Sequence, residues 1–285
     1  MPDTPSSDPA NHRPPNYLEN LISRLSDVLQ RDESSEGVLK FQPVTEDEFI
    51  KLAADNTRNP SLTKLQYHRP TELLLVKTMS EMDHFLVVAL ARQMIDDKLE
   101  NMEVDDQSLM LVWPLDAGGG WLKEPDLCWA PRVSINPTFV VEVGTSESAH
   151  HLSTNARGWL EAPNSFIETV ITISFDHLFT KTNENPLTLF VWSRLSDDDT
   201  QNNPGPAVWI ARIDVKRDKD RLFVDGASRD VKTRVLVETD EIRLPLEVFI
   251  GPQAEHGDDI VITNDGVLEL FVRLSMLYQP SCVTH

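Results

Sequence analysis

The chain has 285 residues, 40% hydrophobic and 25% charged, a globular composition that fits one large domain or one domain with extensions. Its net charge of −20 excludes broad contact with a nucleic-acid backbone, which relies on Lys and Arg neutralising phosphates; a nucleic-acid partner would need a local site or a metal ion. No apolar run approaches the roughly 18–20 residues of a membrane span, and the two cysteines, Cys128 and Cys282, supply neither a disulfide framework nor metal-ligand spacing.

The N-terminal MPDTPSSDPANHRPPN (1–16) is rich in Pro and Ser and lacks the basic and apolar regions of a secretory signal, so it reads as the disordered tail of an intracellular protein. In YLENLISRLSDVL (17–29), Tyr17, Leu18, Leu21, Ile22, Leu25, Val28 and Leu29 form one helical stripe. Thr45 and Glu48 make a capping box that opens a second, short helix. Together these predict an N-terminal helical extension over 17–60. KLQYHRPTELLLVKT (64–78) reads as a hairpin turning at Arg69–Pro70–Thr71.

Residues 80–99 predict a long helix, with Ser80 as N-cap and Phe85, Val88, Ala89, Arg92 and Ile95 on the 3.6 period. Strands follow at 108–114, at 121–131 after a GGG turn (118–120), and at 136–144. A helix over 146–162 turns Ala149, Leu152, Ala156, Trp159 and Leu160 inward, and a strand covers 166–176. Further strands are predicted at 187–194, 206–215, 233–239 and 246–251, with a final helix at 265–278. SDDDTQNNPGP (196–206) and KRDKDR (216–221) read as surface loops.

One residue breaks this pattern. FVVEVG (139–144) is apolar enough to be buried on both faces of a sheet, yet it contains Glu142. An unpaired carboxylate there would cost several kcal/mol. The two-residue period puts Val140, Glu142 and Gly144 on one face. In the preceding strand Glu124, Asp126 and Cys128 share a face if Pro125 leaves the pleat undisturbed. Adjacent strands then bring Asp126 to Glu142, and a divalent cation between them relieves their repulsion; oxygen ligands suit Mg²⁺ or Mn²⁺.

Pro125–Asp126, followed by Glu142–Val143–Gly144 on a helix–three strands–helix–strand order, resembles the PD-(D/E)XK nuclease superfamily, the restriction-endonuclease-like fold. KEPDLCWAP, PTFVVEVGTSES and NARGWL are similar to uncharacterised fungal members of that fold. The resemblance implies an α/β protein with an αβββαβ core over about 64–176 and a mixed central sheet. The nuclease-like domain would span 61–285, with a C-terminal β-rich part and helix at 187–278. Asp126 and Glu142 would be catalytic residues ligating Mg²⁺ or Mn²⁺, with the Val143 carbonyl as third ligand, in metal-dependent hydrolysis of DNA phosphodiesters.

The family's lysine belongs two residues after the glutamate, where this chain has Gly144. Arg157, on the following helix, is the leading candidate to replace it; it stays charged, so it would stabilise a phosphate and could not deprotonate water. Lys123 points to the opposite face unless Pro125 introduces a bulge, and Lys77 is a third option. An acid on the first helix, Glu81 or Asp83, could complete the site, although both suit a first turn for the helix dipole alone.

The alternative is a catalytically inactive scaffold of the same fold, with Glu142 satisfied by backbone N–H groups or an arginine. A serine hydrolase is a distant third: GTSES (144–148) nearly matches G-x-S-x-G, but Ser148 stands at the closing glycine, Ser146 suits an N-cap, and His177 and His256 anchor no motif. His150 and His151 point about 100° apart on a helix and cannot easily share one ion. His84 reads as a surface or boundary histidine, and Cys128 as a buried reduced thiol.

Overall fold

A computed structural model describes residues 37–55, 63–78, 82–104, 107–111, 113–134, 136–145, 149–175, 185–194, 205–218, 221–229, 236–252, 254 and 259–277. The 17–29 stripe, Ser80, the DDD run at 197–199 and Cys282 lie outside them. Among the described residues no helix is long and apolar enough to cross a membrane.

Alternation builds the smaller of two large sheets. Thr63, Leu65 and Tyr67 of β2 (Thr63–His68) are buried at every second position, as are Leu74 and Val76 of β3 (Leu73–Thr78). The two strands pair as a hairpin across the 3-10 turn Arg69–Thr71. β1 (Gly37–Phe41) adds to β3, so the segment expected to be wholly helical contributes a strand. α1 (Glu46–Ala53) starts at the Thr45–Glu48 capping box and packs Phe49 and Leu52 onto the sheet. β5 (Leu115–Asp116) and β6 (Trp121–Lys123) complete the order β1-β3-β2-β6-β5. They are joined by the GGG turn, whose three glycines all have positive φ.

The larger sheet contains β4 (Ser108–Leu111), β7 (Leu127–Pro131), β8 (Phe139–Thr145), β9 (Thr169–Phe175), β10 (Leu187–Arg194), β11 (Ala207–Asp218), β12 (Arg221–Arg229) and β13 (Leu236–Glu238). Its order is β13-β12-β11-β10-β9-β8-β7-β4, with β8 and β9 parallel and the other pairs antiparallel. α2 (Met82–Asn101) precedes β4, and α3 (Ala149–Leu160) joins β8 to β9. Val141 and Val143 of β8 and Ile171 and Ile173 of β9 pack in one cluster with Val87, Ala91, Ile95 and Leu99 of α2. Val140 and Val170 turn the other way, into a cluster with Ala156, Trp159 and Leu160 of α3. Burial on both faces is why these strands are almost unbroken apolar runs. A two-stranded ribbon, β14 (Glu241–Pro245) with β15 (Asp259–Thr263), and two helices, α4 (Glu247–Ile250) and α5 (Asn264–Leu277), complete the described chain.

Four further expectations are corrected. The buried stripe of α2 is His84, Val87, Ala91, Ile95 and Leu99, whereas Phe85 and Arg92 face solvent. Residues 121–131 are two strands in different sheets, because Pro125 lacks the N–H a continuous ladder requires. LEVFIG is a single helical turn, α4, ending at Gly251 with φ 85°; short apolar runs do not distinguish strand from helix. In KRDKDR, Lys216, Arg217 and Asp218 end β11 and Arg221 begins β12; Lys216 pairs with Phe223 in register and its charge is met by Asp225.

Candidate functional site

The pairing of β7 with β8 matches Leu127 with Val141 and Cys128 with Val140. Extending that register one step sets Asp126 opposite Glu142, on the face toward α3. Asp126 lies just outside β7, and its Oδ2 accepts a 2.7 Å hydrogen bond from the Val143 N–H. The Val143 N–H thus anchors the Asp126 carboxylate.

Three further elements converge on Asp126. His84, in the first turn of α2, places Nε2 3.1 Å from Oδ1; a carboxylate only accepts, so that nitrogen carries the proton. Lys64 of β2 sits 3.3 Å from the same oxygen and donates to the Pro125 carbonyl at 2.7 Å. The side chains of Asp126 and His84 are almost fully enclosed, at 6% and 5% exposure. Burial alone would raise the Asp126 pKa, but His84, Lys64 and the Val143 N–H together hold it well below the usual carboxylate range.

Glu142 is treated differently by its surroundings. Its Oε1 accepts from Trp159 Nε1 of α3 at 2.8 Å. Burial, and then the negative charge of Asp126, push its pKa up; Lys64, Trp159 and Lys123 oppose the rise without cancelling it. The two carboxylates thus diverge, Asp126 strongly acidic and Glu142 weakly so. Behind them the Cys128 thiol donates to the Leu111 carbonyl at 3.3 Å and is pushed up to about 12, chiefly by burial, which makes it a poor nucleophile.

The basic residues distribute as chain direction dictates. Lys123 ends β6 and donates to Asn155 Oδ1 of α3 at 3.2 Å. The sheet break at Pro125 frees it from the strand face on which β7 would have fixed it. Asn155 and Trp159, four residues apart, share one side of α3. Arg157 lies between them, roughly 200° around the helix from each, and is exposed. Lys77 stands opposite Lys64 in the β2–β3 ladder. No motif marks Lys64 in the sequence: it lies 61 residues before Pro125, on a strand of the other sheet. The one local sign of it was a lysine in an otherwise alternating, half-buried strand.

The remaining candidates stand apart. Glu124 is buried and turned toward the small sheet, where its Oε2 accepts from the Leu65 N–H at 2.9 Å. His150 and His151 are both exposed on α3. Glu81, the Asp83 side chain, Ser146, Ser148, His177 and His256 lie outside the described residues.

Whether this donor set suits a divalent ion depends on free lone pairs. A carboxylate offers about four, and three on Asp126 are engaged. Trp159 is the hydrogen-bond partner of Glu142 among the described residues, which leaves Oε2 open. No group of three or more His, Cys, Asp or Glu among the described residues is placed to hold a metal. The pair therefore lacks a closed cage, but it suits Mg²⁺ or Mn²⁺, which commonly bind one or two carboxylates and take waters and substrate phosphates elsewhere.

No family model matches the chain, and no curated protein matches it. Among solved structures it is similar to a DUF820 protein from Anabaena variabilis, provisionally named a nuclease, with a TM-score of 0.40 and 12% identity over 81% of this chain and 99% of that one.

Proposed function

We propose that this chain is a PD-(D/E)XK nuclease-like protein that hydrolyses DNA phosphodiesters with the help of a divalent metal ion. The observation that carries the reading is Asp126, one residue before β7, accepting the N–H of Val143 next to Glu142, with Lys64 3.3 Å from its Oδ1 although position 144 is glycine. The order α2, β4, β7, β8, α3, β9 supports the αβββαβ core, with β5 and β6 inserted as an excursion into the small sheet.

In this reading Asp126, Glu142 and the Val143 carbonyl would hold Mg²⁺ or Mn²⁺, which would supply a more acidic water and stabilise charge on the phosphate. His84 and the Val143 N–H fix the Asp126 carboxylate, and Trp159 fixes Glu142. Lys123, steadied by Asn155, adds positive charge for a phosphate. Arg157, on the outward side of α3, is better placed to meet the substrate backbone away from the reacting centre.

A second reading, an inactive scaffold, is favoured by one observation: Lys64 and His84 already compensate Asp126. Calorimetric titration of Mn²⁺ into wild type, Asp126→Asn and Glu142→Gln separates the two, together with a cleavage assay on single- and double-stranded DNA. Saturable binding lost in both variants, with Mn²⁺-dependent cleavage, is the expected result. Absence of binding at millimolar Mn²⁺, with all three proteins folded by circular dichroism, leaves the scaffold.

A further inference from the structure

The lysine missing after Glu142 has a counterpart that occupies the site as a cation in its own right. Lys64 is 14% exposed, 3.3 Å from Asp126 Oδ1 and donating to the Pro125 carbonyl at 2.7 Å. Its neighbour in β2 is anchored twice. Glu124 N–H donates to the Leu65 carbonyl at 3.1 Å, and Leu65 N–H donates to Glu124 Oε2 at 2.9 Å, so the residue next to Lys64 is clamped to the segment leading into Asp126. The small sheet is thereby tied to the carboxylate pair by backbone as well as charge.

An ammonium and a divalent ion cannot both press on the same carboxylate without repulsion, which is strong where water is excluded. Lysine can yield, since its charge sits on a flexible four-carbon stem. We propose that Lys64 is the exchangeable cation of the Asp126–Glu142 pair. It neutralises the pair in the ion-free protein and withdraws from Asp126 when a divalent ion binds. It is then left as a charged donor for a phosphate oxygen. Lys64 thus opposes metal binding and serves the reaction, a combination that a lysine fixed only for stability would not show. The second half of this role rests on the nuclease reading above, and the first half does not.

The test is calorimetric titration of Mn²⁺, at one pH and ionic strength, into wild type, Lys64→Met, Lys64→Arg and the double variant Lys64→Met/Glu142→Gln, each checked for folding by its thermal melt. Lys64→Met should bind Mn²⁺ about tenfold or more tightly than wild type. Lys64→Arg should bind no more tightly than wild type, and the double variant should lose the gain. Lys64→Gln, which keeps a donor for the Pro125 carbonyl, replaces Lys64→Met if that variant does not fold. Binding by a folded, uncharged variant that is no tighter than wild type overturns the proposal, as does a gain that survives Glu142→Gln. DNA cleavage by wild type and Lys64→Met is read alongside. A gain in affinity without cleavage by wild type keeps the exchange and removes the hydrolase. Cleavage by wild type with no gain in the uncharged variant removes the exchange and keeps the hydrolase.

Discussion

Glu142 and Asp126 pull the protein's stability in opposite directions as pH changes. The raised Glu142 carboxyl favours the folded state most when protonated. That contribution is complete below its unfolded pKa of about 4.3 and is lost as pH rises through the folded value. The depressed Asp126 carboxylate contributes stability above about 3.9, lost only as pH falls toward its folded value. The wild-type urea midpoint should therefore decline between about pH 5 and 9, and Glu142→Gln should flatten the decline. An equal decline in that variant would locate the titrating group elsewhere. Asp126→Asn strands Lys64 beside a neutral amide and should cost roughly 3–5 kcal/mol, the scale for breaking one side of a buried pair. Trp159→Phe removes the N–H that Glu142 accepts while keeping an aromatic ring, and should cost about 1–3 kcal/mol in urea denaturation.

At the scale of elements, β12 is held by a close approach that only glycine allows. A Cβ at Gly226 would fall 2.2 Å from the Thr239 carbonyl oxygen and 2.9 Å from Asn264 Oδ1. Backbone cannot yield as a flexible side chain does, so Gly226→Ala should force β12 from the β13–β14 connection at about 1–3 kcal/mol. Its thermal melt measures the loss directly; an unchanged midpoint would mean the strand relaxes without cost. α2 makes the same point about what local pattern can carry. The 3.6 period located the helix and included Ile95, but the stripe it selected contained Phe85 and Arg92, which are exposed. Periodicity defines an angular repeat; with apolar residues on several sides of the helix, the packing partner chooses which side is buried.

The whole molecule carries its charge of −20 against any polyanion. DNA binding should accordingly depend on Mn²⁺ or Mg²⁺ bridging at the carboxylate pair, and be weak in EDTA. Fluorescence anisotropy with a short labelled oligonucleotide checks this. Tight binding in EDTA with a steep salt dependence would require an extended basic face and would contradict the local-site reading.

The sequence by itself carried the central anomaly, a carboxylate in a strand apolar enough to be buried on both faces, together with its partner. A period of two sets Glu142 and Asp126 on like faces, and in the structure Asp126 accepts the N–H of Val143, the residue after Glu142. It also carried α3, whose inward residues Leu152, Ala156, Trp159 and Leu160 are all buried. What it could not carry was everything that arrives from a distance. Lys64 and His84 reach Asp126 from another sheet and from another helix, and no local repeat encodes which elements meet. Pro125 was visible, but whether it would bulge one strand or divide it between two sheets depended on whether β2 was there to pair with β6. Local pattern decides which way a side chain faces on its own element. The charge that finally meets a buried carboxylate is decided by packing, because its energy depends on position in space and not on separation along the chain.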